Sequence, residues 1–169
     1  MACAGCGFVY ESVPADGVAA ALRAVGGWYR AVLRGADAAA LARRPDPSTW
    51  SAVEYTAHVR DVLLVQRDRV IRALVEDRPS FPPMWRDERV ALAGYADEPP
   101  ADVLAGLDLA AALLARVFDR LGPDQLTRPC VYNFPAPADR DVLWVGRHTL
   151  HEAEHHRQDA ERVLAAVTA

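Results

Sequence analysis

The stretch Trp50-Ser51-Ala52-Val53-Glu54-Tyr55-Thr56-Ala57-His58-Val59-Arg60-Asp61 marks the start of a helix more sharply than any other part of the chain. Ser51 and Glu54 have the spacing of a capping box, in which each side chain accepts a hydrogen bond from the backbone N–H of the other residue. Trp50 and Tyr55 occupy the two positions of a hydrophobic staple around that cap. The pattern therefore predicts a helix that begins at Ser51.

Apolar residues at three- and four-residue steps predict further helices on both sides of this stretch. The four predicted helices run from about Pro14 to Ala42, from Ser51 to Glu76, from Ala101 to Leu121, and from Asp139 or Asp141 to Val167. Gly26-Gly27 interrupts the first helix, so we expect a kink or two pieces there. Period-2 strand patterns are essentially absent. The predicted fold class is all-α, a four-helix bundle.

Two long connections separate these helices. Residues 78–98 are long enough for a crossover, so the second and third helices can run parallel in an up-down-down-up bundle. Residues 123–138 are also rich in proline. We expect both connections to form the wall of a pocket at one end of the bundle. The predicted organisation is an N-terminal CxxC segment at residues 1–13 and a bundle at residues 14–169.

Composition excludes several classes of function. The net charge is −4 and the basic residues are scattered, which argues against a nucleic-acid partner or an anionic membrane surface. No apolar run is long enough for a membrane span. The first residues lack both the basic and the apolar region of a secretory signal. We therefore expect a cytoplasmic location, where the cysteines stay reduced, and a small-molecule substrate.

Four of the five histidines lie in Arg147-His148-Thr149-Leu150-His151-Glu152-Ala153-Glu154-His155-His156. On a helix, His151 and His155 are one turn apart and point the same way. Together with one imidazole from a facing helix, they are a plausible way to hold a divalent metal with open positions. His58 is the histidine that such a facing helix would supply. The alternatives are histidines satisfied singly by hydrogen bonds and a solvated charged face.

Nearby polar residues extend this prediction. Asp61 and Asp159 lie three or four residues from candidate ligands and are predicted to orient them from the second shell. His148 and Glu152 are candidate proton-transfer groups. The rotation of His156 around the helix makes it the residue least expected to face the site.

These two motifs resemble those of a known family. The segment from Trp50 to Asp61 resembles the second-helix motif of the DinB-like (YfiT-like) metal-dependent superfamily, and the segment from His148 to Asp159 resembles its last-helix motif. The resemblance implies an up-down-down-up bundle that holds Zn²⁺, Ni²⁺ or Fe²⁺ through His58, His151 and His155. Members include mycothiol-dependent maleylpyruvate isomerases and bacillithiol and mycothiol S-transferases.

The function that this resemblance implies is a metal-dependent thiol S-transferase. The metal would activate a low-molecular-weight thiol such as mycothiol, and the thiolate would attack a small electrophile. A metal-dependent hydrolase, a non-catalytic metal-binding or dimerising bundle, and a plain helical interaction module are the alternatives. A homodimer is possible in each case.

Cys3-Ala4-Gly5-Cys6-Gly7 is typical of half a zinc ribbon, a tight knuckle that offers two thiolates. The other half is missing, because Cys130 is the one further cysteine and no second CxxC exists. Cys3 and Cys6 are therefore a possible second metal site, completed by Cys130 or by another subunit. A redox thiol pair and an inert N-terminal segment are the alternatives.

Overall fold

The computed structural model describes residues 2–169, and most of them are helical. In chain order the helices are α1 (Val18–Leu33), α2 (Ala38–Ala42), α3 (Ala52–Val75), α4 (Arg86–Leu92), α5 (Pro100–Phe118), α6 (Pro123–Leu126) and α7 (Val142–Thr168). The four long helices pack as a bundle, in which α1 and α3 each contact both α5 and α7. The predicted up-down-down-up order of these helices stays a prediction.

Local capping places the two helices that carry the histidines. Ser51 Oγ accepts a hydrogen bond from the Glu54 backbone N–H at 3.3 Å, and Glu54 Oε2 accepts one from the Ser51 N–H at 2.8 Å. The predicted capping box at the start of α3 is therefore confirmed. At the start of α7, Asp141 accepts from the Trp144 N–H at 2.7 Å and is the N-cap. These caps satisfy N–H groups that have no partner within the helix.

The predicted position of the break in the first helix is wrong. α1 runs unbroken through Gly26-Gly27 and ends at Leu33, and α2 follows as a separate short helix. The break lies at Gly35, whose φ of +83° is a conformation that favours glycine. Gly26 is buried where α1 meets Asp108 of α5, so close packing explains that glycine.

The prediction of an all-α chain is corrected by a small three-stranded sheet. Its strands are β1 (Ser80–Phe81), β2 (Pro129–Tyr132) and β3 (Ala138–Asp141), in the order β1-β2-β3. β1 pairs with β2 in parallel, and β2 pairs with β3 antiparallel. Strands this short carry no readable period, which is why the sequence pattern did not reveal them. The sheet ties the two predicted connections together at one end of the bundle.

The crossover between α3 and α5 also contains more structure than a loop. α4 forms within it, and a 3₁₀ turn follows at Tyr95–Asp97. Tyr95 is fully buried in a small apolar cluster against Val53 and Ala57 of α3. The crossover is therefore anchored to the start of α3. None of the described helices has the length and apolar character that a membrane span requires.

Two helix glycines give opposite predictions for stability. A Cβ added at Gly146 of α7 would lie 2.5 Å from Phe118 Cζ and 3.0 Å from Val18 Cγ1, whereas one added at Gly27 of α1 would meet nothing within 4 Å. We expect Gly146→Ala to destabilise the fold by about 1–3 kcal/mol through overpacking. We expect Gly27→Ala to stabilise it by about 0.5–1 kcal/mol, because alanine restricts the unfolded chain. Urea denaturation of both variants measures the difference, and equal effects would contradict this packing.

Candidate metal centre

α3 and α7 pack directly against each other, which brings His58 to the last helix. His58, Glu152 and His156 form a group in which one ligand-type atom from each side chain lies within 4.8 Å of the others. The rings of His58 and His156 have centroids 4.8 Å apart and meet edge to face. His58 and His156 are 1% and 6% exposed. We call these three residues the inner group.

The inner group has the hydrogen bonds that orient a metal ligand. His156 Nδ1 lies 2.8 Å from Asp159 Oδ2, so a neutral ring held there keeps Nε2 free toward Glu152, at 3.7 Å from Oε2. This carboxylate–histidine pairing is what fixes the tautomer of metal-bound imidazoles. Nδ1 of His58 is buried without a hydrogen-bond partner among residues 2–169. A buried polar atom in that state is costly unless a partner binds.

Two of the three inner-group residues, His58 and Glu152, have the charge state of a metal ligand. Burial, together with the neighbouring His156, lowers the pKa of His58 to about 3, so this ring is neutral at physiological pH. Burial alone would raise the pKa of Glu152, but the neighbouring imidazoles of His151 and His156 outweigh it and hold that pKa well below its usual range. A neutral imidazole and an ionised carboxylate are the forms that bind a metal.

A second group lies on the adjacent face of α7. Cys3, Cys6, His151 and His155 each offer one ligand-type atom, and all four atoms lie within 4.8 Å of one another. The Cys6 backbone and the nearby His151 imidazole lower the pKa of the Cys3 thiol to about 6. Burial raises the pKa of the Cys6 thiol. We call these four residues the knuckle group.

The structure divides the three predicted metal ligands between these groups. His58 lies in the inner group, whereas His151 and His155 lie in the knuckle group beside Cys3 and Cys6. Glu152, predicted as a proton-transfer group, lies among the ligand-type atoms of the inner group. Metal ligation by any of them stays a prediction.

The two carboxylates predicted to orient the metal ligands, Asp159 and Asp61, have different partners. Asp159 contacts His156, as described above, and its Oδ2 lies 3.8 Å from His155 Nε2. Asp61 accepts hydrogen bonds from Tyr95 Oη at 2.6 Å and from Arg60 Nε at 2.9 Å. Asp61 therefore fastens the crossover to α3 in this structure, and its carboxylate is taken up by those contacts rather than by the His58 ring.

Beside the inner group lies a cavity of about 260 Å³. Both long connections contribute to its wall, as predicted: Pro83 to Glu88 from the first and Tyr132 and Phe134 from the second. His58, Glu152 and His148 line it from the helices, together with Arg69. A larger groove of about 450 Å³ lies between α3 and α5, but no histidine or cysteine lines it. Convergent polar groups make the smaller cavity the candidate site.

Arg69 brings a buried positive charge to the cavity wall. Its guanidinium donates to Tyr132 Oη at 2.8 Å, to Gln66 Oε1 at 3.4 Å and to the Pro82 carbonyl. All of these acceptors are neutral oxygens, and the residue is 6% exposed. Buried charges are usually paired with an opposite charge.

His148 is held in the cavity wall by the N-terminal segment. Tyr10 Oη lies 2.8 Å from His148 Nδ1, and the Trp144 ring stacks on the imidazole at 4.5 Å between centroids. Burial lowers the pKa of His148 to about 4, so the ring is neutral at physiological pH. A Tyr10 hydroxyl that donates to Nδ1 leaves the ring proton on Nε2, which faces Glu152 Oε1 at 3.8 Å.

With this geometry in view, comparison with known proteins identifies the family. The family model described as DinB_2, DinB superfamily, matches residues 21–160. The chain belongs to the DinB superfamily. No curated protein sequence matches it.

Solved structures show the same fold. YfiT from Bacillus subtilis, titled a probable metal-dependent hydrolase with an unusual four-helix bundle topology, superposes with a TM-score of 0.78 at 16% identity, over 88% of this chain and 85% of that one. A mycothiol-dependent maleylpyruvate isomerase superposes with a TM-score of 0.71 at 14% identity, over 90% of this chain and 62% of that one. At such identities the likeness shows the fold of this DinB superfamily member and no more.

His156 is the site residue that sequence reasoning missed in this DinB superfamily chain. It belongs to the buried seam of α7, which continues through Ala153, Ala160 and Val163 at three- and four-residue steps. That seam is readable in the sequence, although the larger residues Leu143 and Leu164 mark a neighbouring stripe that is only half-buried. Small residues on a buried face are the signal that would have found it, because they allow α3 to approach closely.

Proposed function

We propose that this DinB superfamily member is a metal-dependent thiol S-transferase whose metal is held by His58, Glu152 and His156. The observation that carries the proposal is the convergence of these three side chains beside a cavity, with His156 already oriented by Asp159. Two imidazoles and one carboxylate suit Zn²⁺ or Fe²⁺, and Ni²⁺ fits the same donors. Three protein ligands leave positions open for a thiol.

The residues present fit a metal, as the buried and unpartnered His58 Nδ1 and the ionised Glu152 indicate. When bound, a divalent ion would lower the pKa of a thiol or of water at an open position. The protein's own contribution is to hold three ligands at fixed positions and to keep His148 neutral beside Glu152. Trp85 and Phe134, which are 60% and 56% exposed, form an apolar rim that covers a bound substrate.

Arg69 supports an anionic second substrate. Its buried guanidinium contacts only neutral acceptors among the hydrogen bonds described, so a carboxylate in the cavity would gain an ion pair without displacing another. A cavity of about 260 Å³ suits a small molecule. We therefore propose a small electrophile with a carboxylate as the substrate class and, because one structural neighbour is titled mycothiol-dependent, mycothiol as the first thiol to test.

Hydrolysis is the second candidate, since the other neighbour is titled a probable metal-dependent hydrolase. The same three ligands would serve it, with water in place of the thiol. We propose the transferase first because neither His148 nor Tyr132, which line the cavity beside the inner group, offers a free base for water: a Tyr10 hydroxyl that donates to Nδ1 leaves the His148 proton on Nε2, and burial raises the pKa of Tyr132. A thiol that meets the metal there needs no further general base once its proton has gone to solvent.

We also propose that the four long helices run in up-down-down-up order. An up-down-down-up order is supported by the pairing of Arg23 with Asp119, which sets α1 antiparallel to α5. It is also supported by Tyr29, whose hydroxyl donates to the Ala153 carbonyl at 3.0 Å while Val18 lies beside Gly146, so that α1 and α7 run in the same direction. A cytoplasmic location, where thiols stay reduced, fits this chemistry.

Metal analysis of the untagged protein tests the proposal. We expect His58→Ala and His156→Ala each to lose one zinc or iron relative to wild type and to lose transfer of mycothiol to a carboxylate-bearing electrophile. Glu154→Gln is the matched control on α7 and is expected to keep the wild-type metal content, because Glu154 belongs to neither group. Consumption of the electrophile that does not depend on thiol would favour hydrolysis. Wild-type metal content in both inner variants would exclude this site.

A further inference from the structure

The N-terminal segment folds into a tight loop before α1 begins. The Cys3 backbone N–H donates to the Phe8 carbonyl at 2.9 Å, and the Gly7 N–H donates back to the Cys3 carbonyl at 2.9 Å. Gly7 has a φ of +75°, which lets the chain turn at this point. Ala2 pairs with Val9 in an isolated antiparallel bridge. The loop thus holds both thiols on one side of a closed turn.

This loop lies against the His151–His155 face of α7. A Cβ added at Gly5 would lie 3.0 Å from His155 Cε1 and 3.6 Å from His155 Nδ1, so the turn approaches the imidazole closely. Gln158 Nε2 donates to the Cys6 carbonyl at 3.1 Å. Phe8 contacts the His151 ring with centroids 5.8 Å apart. These contacts, from residues about 150 positions apart in the chain, set the two thiols and two imidazoles together.

The ring nitrogens of His151 and His155 that lie beside the loop make no hydrogen bond within residues 2–169 of this structure. Both ring nitrogens of His151 and Nδ1 of His155 are buried without a hydrogen-bond partner among the residues described. On the opposite side of each ring lies a carboxylate, with His151 Nδ1 3.1 Å from Glu152 Oε1 and His155 Nε2 3.8 Å from Asp159 Oδ2. A carboxylate on one ring nitrogen and a metal on the other is the usual arrangement around metal-bound histidine.

We propose that Cys3, Cys6, His151 and His155 form a second metal site, a closed Cys₂His₂ site for Zn²⁺. Two thiolates and two imidazoles are the donors of structural, tetrahedral zinc, and four protein ligands leave no position for substrate. Binding converts both thiols to thiolates and releases their protons, with no change of oxidation state. α7 supplies the two ligands that would come from the missing half of a zinc ribbon. It does not depend on the inner group's being catalytic.

The role of this zinc is to clasp the N-terminal segment onto α7. Tyr10, a few residues beyond the knuckle, contacts His148 and stacks near Trp144 in the cavity wall. Glu152 lies 3.1 Å from His151 and also belongs to the inner group. The clasp therefore fixes one wall of the cavity and orients Glu152, an inner-group residue that lies beside His151 of the knuckle group.

Cobalt substitution tests the site with the full chain. We expect Co²⁺-loaded wild type to show thiolate-to-metal charge transfer and strong tetrahedral visible bands. The thiolate charge-transfer band should vanish in Cys3→Ser/Cys6→Ser and persist in His58→Ala, because the inner group contains no thiol, so a failure of the inner group is read separately from a failure of this site. Cys130→Ala removes a buried thiol of β2 and is the matched control, with an unchanged spectrum expected.

Metal content and thiol reactivity complete the test. Native mass spectrometry should find one more zinc in wild type than in the double cysteine variant, and chelation should make Cys3 and Cys6 react rapidly with a thiol reagent. His155→Ala, which leaves both thiols in place, covers the case in which the double variant does not fold. Equal zinc content in wild type and the double cysteine variant would overturn the proposal, as would a spectrum free of thiolate bands. A Cys3–Cys6 disulfide that forms after the reduced protein has been offered zinc would also overturn it.

Discussion

Glu152→Gln is expected to weaken metal binding by the inner group by more than about a hundredfold and to abolish thiol transfer. Removing an outer-shell partner of a metal ligand already costs about 10–100-fold in affinity, and Glu152 is a ligand candidate itself. Glutamine keeps the size of the side chain but removes its charge. It also presents an amide N–H₂ to one of two imidazoles, because Glu152 lies 3.1 Å from His151 Nδ1 and 3.7 Å from His156 Nε2.

Glu154→Gln is the matched control for this prediction. Glu154 lies two residues further along α7, and its carboxylate pairs with Arg157. It undergoes the same chemical change, and we expect its metal content and activity to match those of wild type. Competition with a chromogenic chelator measures the affinity of both variants. In Glu152→Gln the knuckle zinc should remain, with an affinity lower by about tenfold, since His151 loses its carboxylate partner. Wild-type affinity of the inner group in Glu152→Gln would show that this carboxylate is not a ligand.

The fold was predictable from the sequence wherever a local signal sets it. The capping box at Ser51 and the N-cap at Asp141 bound α3 and α7 because both depend on side chains within three residues of the helix start. The strands β1 and β2 carry no such signal. They exist because Ser80 and Val131, which lie far apart in the chain, come together when the bundle forms.

The candidate site was predictable in its residue types but not in their grouping. His151–His155 and Glu152–His156 are both i, i+4 pairs, and they differ by 100° of rotation about α7. Spacing alone cannot tell which pair turns toward α3, because the packing of the whole seam decides it. Docking of the CxxC loop on α7 is likewise a contact between opposite ends of the chain, so no local pattern reveals it.

Loss of the knuckle zinc is expected to release residues 2–13 while the bundle stays folded. Apart from the knuckle, its bridge and the Tyr10 ring, this segment is held by Phe8 and Val13 at the edge of the main core and by a hydrogen bond from Arg147 to the Val13 carbonyl, whereas α3 and α5 share an extensive apolar core. We expect the Cys3 and Gly7 amides to exchange with solvent rapidly after chelation, and chymotrypsin to cut after Phe8 and Tyr10. Zinc at about a hundred times its Kd would contribute about 2.7 kcal/mol, which corresponds to a fall in Tm of about 5–10 °C on removal.

Hydrogen exchange read by mass spectrometry distinguishes this local opening from general unfolding. Amides in the middle of α3, around Leu63, serve as the internal reference because that residue is fully buried in the main core. Cys3→Ser/Cys6→Ser should show the opened pattern even with zinc present, and His58→Ala should keep the closed pattern, since its knuckle is intact. Because Tyr10 leaves His148 when the segment opens, the opened protein should also bind substrate more weakly. Identical exchange of residues 2–13 with and without zinc would mean that the loop docks on α7 through its apolar contacts alone.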